Sequence, residues 1–197
     1  MTGEGASTRG RKVGSFKLED RTKVLHAAAY LFDRKGYAET TMQDISARLK
    51  ISKPTLYAYA KSKGEILQGI VAFWIDQVNA VVEAAEAHGE PGERLGVLVH
   101  GWAGAAVRYG PHMAVFLSEE HDIPGRALRD YRIWSRTVLH RVRSLVESGP
   151  IQPGANATVT AFAVIGFVTL LPRWFNPKGG LTIEQVAASF LATIGRS

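Results

Sequence analysis

The stretch from Thr41 to Lys63, TMQDISARLKISKPTLYAYAKSK, constrains the fold more than any other part of the chain. Thr41 with Asp44 three residues on is a capping-box pattern that opens a helix. Met42, Ile45 and Leu49 recur at helical spacing and give that helix one buried face. Lys50-Ile51 breaks the pattern. Ser52 then caps a second short helix, and Pro54 sits in its first turn, where a missing N–H costs nothing. Leu56 faces inward, while Lys53, Thr55, Tyr57 and Tyr59 project elsewhere and Lys61 and Lys63 follow. Hydroxyls, a methyl group, amphipathic rings and flanking cations are what a groove reader uses, donors and acceptors for base edges and cations for phosphates. An ordinary helical hairpin is the competing reading of two short helices.

The setting favours the groove reader. A preceding helix carries Val24, Leu25, Ala28, Leu31 and Phe32 on one stripe and stops at Gly36, the residue type that ends helices most readily. From Val24 to Leu67, VLHAAAYLFDRKGYAETTMQDISARLKISKPTLYAYAKSKGEIL resembles the N-terminal domain of TetR-type transcriptional regulators, and ISKPTLYAYAKSK is close to the recognition helix of that family. Three positions depart from the family pattern: Lys50 where Gly is usual, Ala60 where Phe is common, and Gly64 where an acidic residue is common. Lys50 must therefore take whatever backbone the turn demands, at a modest cost.

Charge is distributed in the same sense. Residues 1–65 hold 13 Lys and Arg against 7 Asp and Glu, and residues 66–197 hold 11 of each, so the whole net charge of +6 lies on the segment expected to touch DNA. Such a footprint supplies salt-dependent affinity for phosphates. The chain has no Cys, which excludes disulfides, a thiol nucleophile and thiolate metal ligation. The N-terminus is polar and basic, unlike a signal peptide, and the most apolar run, Val159 to Leu171, reads as too short for a bilayer. These features imply a soluble cytoplasmic protein.

Residues 1–17 are rich in Gly, Ser and Thr with four cations, and read as a disordered basic arm, either following DNA or simply untethered. Residues 18–64 form the three-helix DNA-binding domain with its helix-turn-helix. Residues 65–197 read as a roughly six-helix domain for ligand binding and dimerisation. Its first helix, Glu65 to about Ala87, carries an apolar stripe longer than three small helices need and joins the two domains. Further helices are predicted over Glu93–Tyr109, His112–Glu120, Arg126–Glu147 and Thr158–Phe175, and a last one is capped by Thr182. No segment alternates like a strand, so the fold class is all-α. The Thr158–Phe175 helix is apolar almost all round and so needs partners on every side; the second partner is expected to be another subunit.

The resemblance implies a homodimer that binds a palindromic operator on double-stranded DNA, most often as a repressor, and a final helix pair that forms the dimer interface. Expected DNA-binding residues are Thr41, Ser52, Lys53, Pro54, Thr55, Tyr57, Tyr59, Lys61 and Lys63. The expected interface is Phe162, Ile165, Gly166, Thr169, Val186 and Phe190. Trp74, His100, Trp102, Met113, Phe116, Tyr131 and Trp134 supply more aromatic surface than a compact bundle requires, and as a set suggest an apolar effector pocket between helices. His100, His112 or Arg132 are its candidate polar anchors. FLSEEHDIPGRALRDY and RWFNPKGGLTIEQVAASFLATI resemble the TetR branch that includes sensors of CoA thioesters, which implies a small apolar or CoA-thioester-like effector and gives Arg129, Arg132 or Arg173 as candidate phosphate contacts.

His100, His112 and His121 with Glu119, Glu120 and Asp122 could in principle hold a metal, but their spacings match no ligand motif, and no nucleophile elbow, P-loop or dinucleotide fingerprint is present. No metal, cofactor or catalytic site is expected, and the protein is not expected to be an enzyme. The alternative is a helical small-molecule-binding or catalytic bundle without specific DNA binding.

Overall fold

A computed structural model describes residues 18–118 and 125–195. Among them the chain forms α1 (Leu18–Lys35), α2 (Met42–Leu49), α3 (Lys53–Tyr59), α4 (Lys63–Ala87), α5 (Arg94–Arg108), α6 (Gly110–Ser118), α7 (Gly125–Glu147), α8 (Ala157–Trp174) and α9 (Ile183–Ile194). The class is all-α; the only extended pairing among the described residues is an isolated bridge between Ile151 and Gly195. The expected basic arm at 1–17 lies outside the described residues, as do Glu119, Glu120, His121 and Asp122.

Local chemistry sets the helix ends. At α2 the Asp44 N–H donates to Thr41 Oγ1 at 3.1 Å, and the Thr41 N–H donates to Asp44 Oδ2 at 2.9 Å, the reciprocal pair of a capping box. Hydrogen bonds from the Thr41 backbone and hydroxyl, with Lys35 Nζ 3.2 Å away, hold the Asp44 carboxyl at about 2, below its ordinary value. Ser52 caps α3 by accepting from the Thr55 N–H at 3.2 Å. Ser62 caps α4 by accepting from the Glu65 N–H at 3.1 Å, so α4 starts two residues ahead of the predicted Glu65.

Two turns need left-handed backbone and meet the need differently. Gly36, with φ +85°, closes α1 at no steric cost. Lys50, with φ 55° and ψ 39°, closes α2; its N–H donates to Ala47 O and the Ile51 N–H donates to Ser46 O, the paired bonds of a Schellman motif.

The core runs through both domains without a break. Leu56, Ile45, Leu67 and Ile70 are fully buried beneath α3, and the same cluster continues through Trp74, Val78, Leu98, Val142 and Val168. A Cβ at Gly69 would lie 2.8 Å from Leu25 Cδ2, which shows how closely α4 and α1 approach. α1 also packs on α6. At that junction His26 Nδ1 and His112 Nε2 are hydrogen bonded at 2.9 Å, caged by the Phe73 and Tyr109 rings. His112 is buried, and its other ring nitrogen has no partner among the described residues.

α8 is apolar almost all round, as read from the sequence, and one side of it is open in the single chain: Val159, Phe162, Leu170 and Trp174 are each more than half exposed. The length expectation needs correcting. By length and composition α4 and α8 could each cross a membrane; α8 runs beyond the apolar run counted in the sequence, through Ala157 and Thr158 at one end and Pro172, Arg173 and Trp174 at the other. Both are nevertheless bundle helices, α8 packing on α5, α6 and α7.

Two stability predictions arise. Left-handed backbone costs an L-residue about 1–2 kcal/mol, and glycine loses about 0.4–1 kcal/mol more chain entropy on folding. Lys50→Gly is therefore expected to stabilise by roughly 0.5–1 kcal/mol and to raise Tm by about 2 °C, read by thermal melting. Burial, then the neighbouring His26 charge, push the His112 imidazole down to about 3. A folded pKa below the unfolded value of about 6.5 means stability present above pH 6.5 and lost as pH falls towards 3. Between pH 6.5 and 5.5 the protein is expected to lose about 1 kcal/mol more than His112→Asn does, measured by urea unfolding of both; equal losses would refute it.

Candidate functional site

α3 is fixed from below and open above. Leu56 is fully buried against α1 and α2, and Lys53, Pro54, Thr55 and Tyr57 stand exposed, Tyr57 by 49 %. The Ser52 and Thr55 hydroxyls lie 2.7 Å apart and are exposed at the helix start. Tyr59 is half-buried and packs against the core, so the two tyrosines do not occupy equivalent positions. Lys61 has an exposed side chain, while its backbone N–H donates to Glu65 Oε2 at 2.7 Å.

Two expected phosphate contacts are otherwise engaged. Lys63 Nζ donates to Tyr37 O at 2.5 Å and to Ala38 O at 3.0 Å, and lies 4.3 Å from the centroid of the Tyr37 ring. It is a strut between α4 and the turn before α2, where carbonyls and a ring face replace solvent around the ammonium. Thr41 Oγ1 donates to Asp44 Oδ2 at 2.8 Å as part of its cap.

Six of the seven expected pocket residues meet. Trp74, Trp102, Met113, Phe116, Tyr131 and Trp134 line one chamber of about 180 Å³, with Leu117, Ser135, Val138, Ile165 and Thr169 completing the wall. The Tyr131 ring lies 4.5 Å from Phe116 and 5.6 Å from Trp134 between centroids. Trp134 Nε1 donates to Asn79 Oδ1 at 2.8 Å, whereas the buried Trp102 Nε1 has no acceptor among the described residues. His100 is the exception. It is exposed, and lines a surface groove with Gln77 and Arg108, because two residues along a helix from Trp102 is nearly the opposite face. The other candidate anchors also miss the chamber: His112 is spent on His26, and Arg132 is exposed on α7.

A second cavity, of about 580 Å³, lies where the two domains meet. Phe32, Asp33 and Gly36 from the end of α1 form one wall; Gly110, Ala114 and Ser118 of α6 and Pro172 and Arg173 of α8 form the others. Met113, Leu117 and Thr169 line both cavities, so the two adjoin. Of the three arginines considered for a phosphate, Arg173 alone lines this cleft; Arg129 and Arg132 are exposed on α7. Sequence reasoning missed this cleft, since its walls come from three distant segments of ordinary residues.

The expected interface residues divide. Phe162 is exposed and Gly166 has open space beside its Cα. Ile165 and Thr169 line the chamber, and Phe190 stacks on Phe167 with centroids 4.0 Å apart. Val186 is buried in its own subunit's core and offers no outer surface. On a helix that is apolar throughout, periodicity alone cannot separate the outer face from the inner one. The exposed apolar ridge is instead Val159, Phe162, Leu170 and Trp174.

Comparison with known proteins agrees with this geometry. Residues 24–70 match the family profile described as bacterial regulatory proteins, tetR family, and residues 88–197 match the tetracyclin repressor-like C-terminal domain. The HTH-type transcriptional repressor KstR2 of Mycobacterium tuberculosis is 23% identical over 181 residues, covering 88% of this chain and 90% of the relative. The crystal structure of the TetR family transcriptional regulator PfmR from Thermus thermophilus superposes with a TM-score of 0.79 at 25% identity, over 88% of this chain and 97% of that one. AibR, solved in complex with isovaleryl coenzyme A and operator DNA, has the same fold, with a TM-score of 0.76 at 23% identity over 89% and 97%. The C-terminal match alone spans more than half of the sequence, and the protein belongs to the TetR family of transcriptional regulators.

Proposed function

We propose that this regulator is a cytoplasmic homodimeric repressor, with one α3 from each subunit entering successive major grooves of a palindromic operator about 34 Å apart. The observation that carries the reading is the outer face of α3. Lys53, Thr55 and Tyr57 are exposed together on a helix whose only fully buried side chain is Leu56, held at the end of the chain that bears all the excess positive charge. Tyr57 and Thr55 read base edges; Lys53, Ser52 and Lys61 contact phosphates and set the register. Lys63 acts indirectly, by fixing the turn before α2.

The dimer forms on the α8 ridge, where Phe162, Val159, Leu170 and Trp174 are too large an apolar surface to leave in water. The effector occupies the chamber under Trp74 and Trp134. Its volume lies below the ~300–1,000 Å³ of drug-sized pockets, which favours a short apolar group. The Trp102 N–H, buried without an acceptor among the described residues and costly to leave so, favours an effector that also carries a hydrogen-bond acceptor there. AibR, with its isovaleryl coenzyme A, is the relative whose ligand fits both requirements. Binding favours an arrangement of α4 and α6 in which the two α3 helices no longer match the operator, to the extent that the effector's affinity differs between the two states.

Tyr57→Ala is expected to weaken binding to the chain's own upstream DNA tenfold or more, equivalent to ~1–3 kcal/mol, while leaving the dimer intact. Gel shifts in graded salt with random competitor, alongside analytical ultracentrifugation, test this. If random DNA competes equally with the upstream fragment, specific repression is wrong. Phe162→Asp is expected to yield a folded monomer by sedimentation, with operator affinity lost.

A further inference from the structure

We propose that the cleft between α1, α6 and α8 is the compartment for the effector's anionic head, and that Asp33 converts the head's arrival into release of DNA. The inference rests on the reading of this protein as an effector-released repressor and adds where its signal originates.

The chamber alone cannot account for regulation of the DNA-binding domain. Its lining comes from α4 to α8, and no residue of α1, α2 or α3 belongs to it. The adjoining cleft is different, because α1 supplies Phe32, Asp33 and Gly36 to its wall. Met113, Leu117 and Thr169 form the wall common to both, and a ligand with its apolar end in the chamber enters the cleft by displacing these side chains. The cleft is about three times the chamber's volume and has a mixed lining, in which Asp33, Arg173, Ser118 and Thr169 interrupt apolar side chains. The shape and chemistry are those of a small apolar group joined to a large, charged head.

Two opposite charges line this cleft on different helices. Arg173 is on α8 and Asp33 on α1, and among the described residues neither has a hydrogen-bond or ion-pair partner. A guanidinium is suited to a phosphate or carboxylate, which it can grip with two parallel bonds. An anion held by Arg173 stands in the same cleft as the Asp33 carboxylate, and the two like charges repel. Attraction on the α8 side and repulsion on the α1 side favour separation of the two walls. α1 packs directly on α2, α3 and α4, so movement of its C-terminal end reaches the DNA-reading helices through contacts already in place. Asp33 thus makes differential affinity: it penalises the anion in the DNA-bound arrangement and not in the released one.

The two substitutions give different outcomes. Arg173→Gln is expected to lower affinity for isovaleryl-CoA at least tenfold by calorimetry and to leave binding of neutral 3-methylbutanol unchanged. Asp33→Asn is expected to bind isovaleryl-CoA as tightly as the parent or more tightly, yet to need at least fivefold more of it to release the upstream DNA fragment. Both sites are solvent-facing, and circular dichroism melts of each variant establish folding. Free isovalerate is the arm that separates a phosphate head from a carboxylate: release by isovaleryl-CoA alone assigns the head to the nucleotide phosphates, and release by isovalerate assigns it to a carboxylate. Equal affinity of the parent and Arg173→Gln for the anionic probes, equal release by the parent and Asp33→Asn, or no binding of any probe at millimolar concentration each overturns the proposal. Failure of the parent to bind its upstream DNA without ligand would instead overturn the repressor reading.

Discussion

Burial of one continuous apolar seam is the constraint on which the rest depends. The residues that hold α3 in place, Ile45, Leu56, Leu67 and Ile70, belong to the same cluster as those that close the bundle, Leu98, Val142 and Val168. The two parts share one core rather than packing as separate units. Interiors packed at crystalline density do not absorb displacements smoothly, so a change in the bundle must be met by a change at α1 or α4. The close approach of Gly69 to Leu25 and the His26–His112 bond lie on that shared boundary. Domain limits drawn at residue 64 or 65 therefore divide the sequence at a point where the packing is continuous.

Much of the helix-turn-helix was legible because its signals are local. Thr41 and Asp44, Ser52 and Pro54, and Gly36 each act within a few residues of themselves, through caps and turn geometry that any chain would share. Lys50 was legible as a departure, and its left-handed backbone follows from the paired bonds that the turn must close. The aromatic chamber was legible as a set, since five large rings and a methionine at helical spacing have few other places to converge.

What was not legible depends on direction rather than composition. Lys63 reads as a solvated cation in any sequence; only the fold brings the Tyr37 and Ala38 carbonyls within reach of its ammonium. His100 and Trp102 are two residues apart, and a helix sends them to opposite sides. Val186 and Phe162 look alike as apolar positions near the C-terminus, yet one is inside the subunit and the other outside. Periodicity locates a face when the other face is polar, and α8 has no polar face to provide the contrast.

The far end of α4 is clamped. Arg141 grips Glu86 with two bonds of 2.6 and 2.8 Å, and Trp134 holds Asn79 about two turns below. The helix is 25 residues long, about 37 Å. It is therefore a lever whose fulcrum sits beside α7, and a swing of about 5° carries its tip by roughly 3 Å. On the proposed reading, that amplification turns a sub-ångström adjustment beside the clamp into a mismatch with the pitch of a double helix.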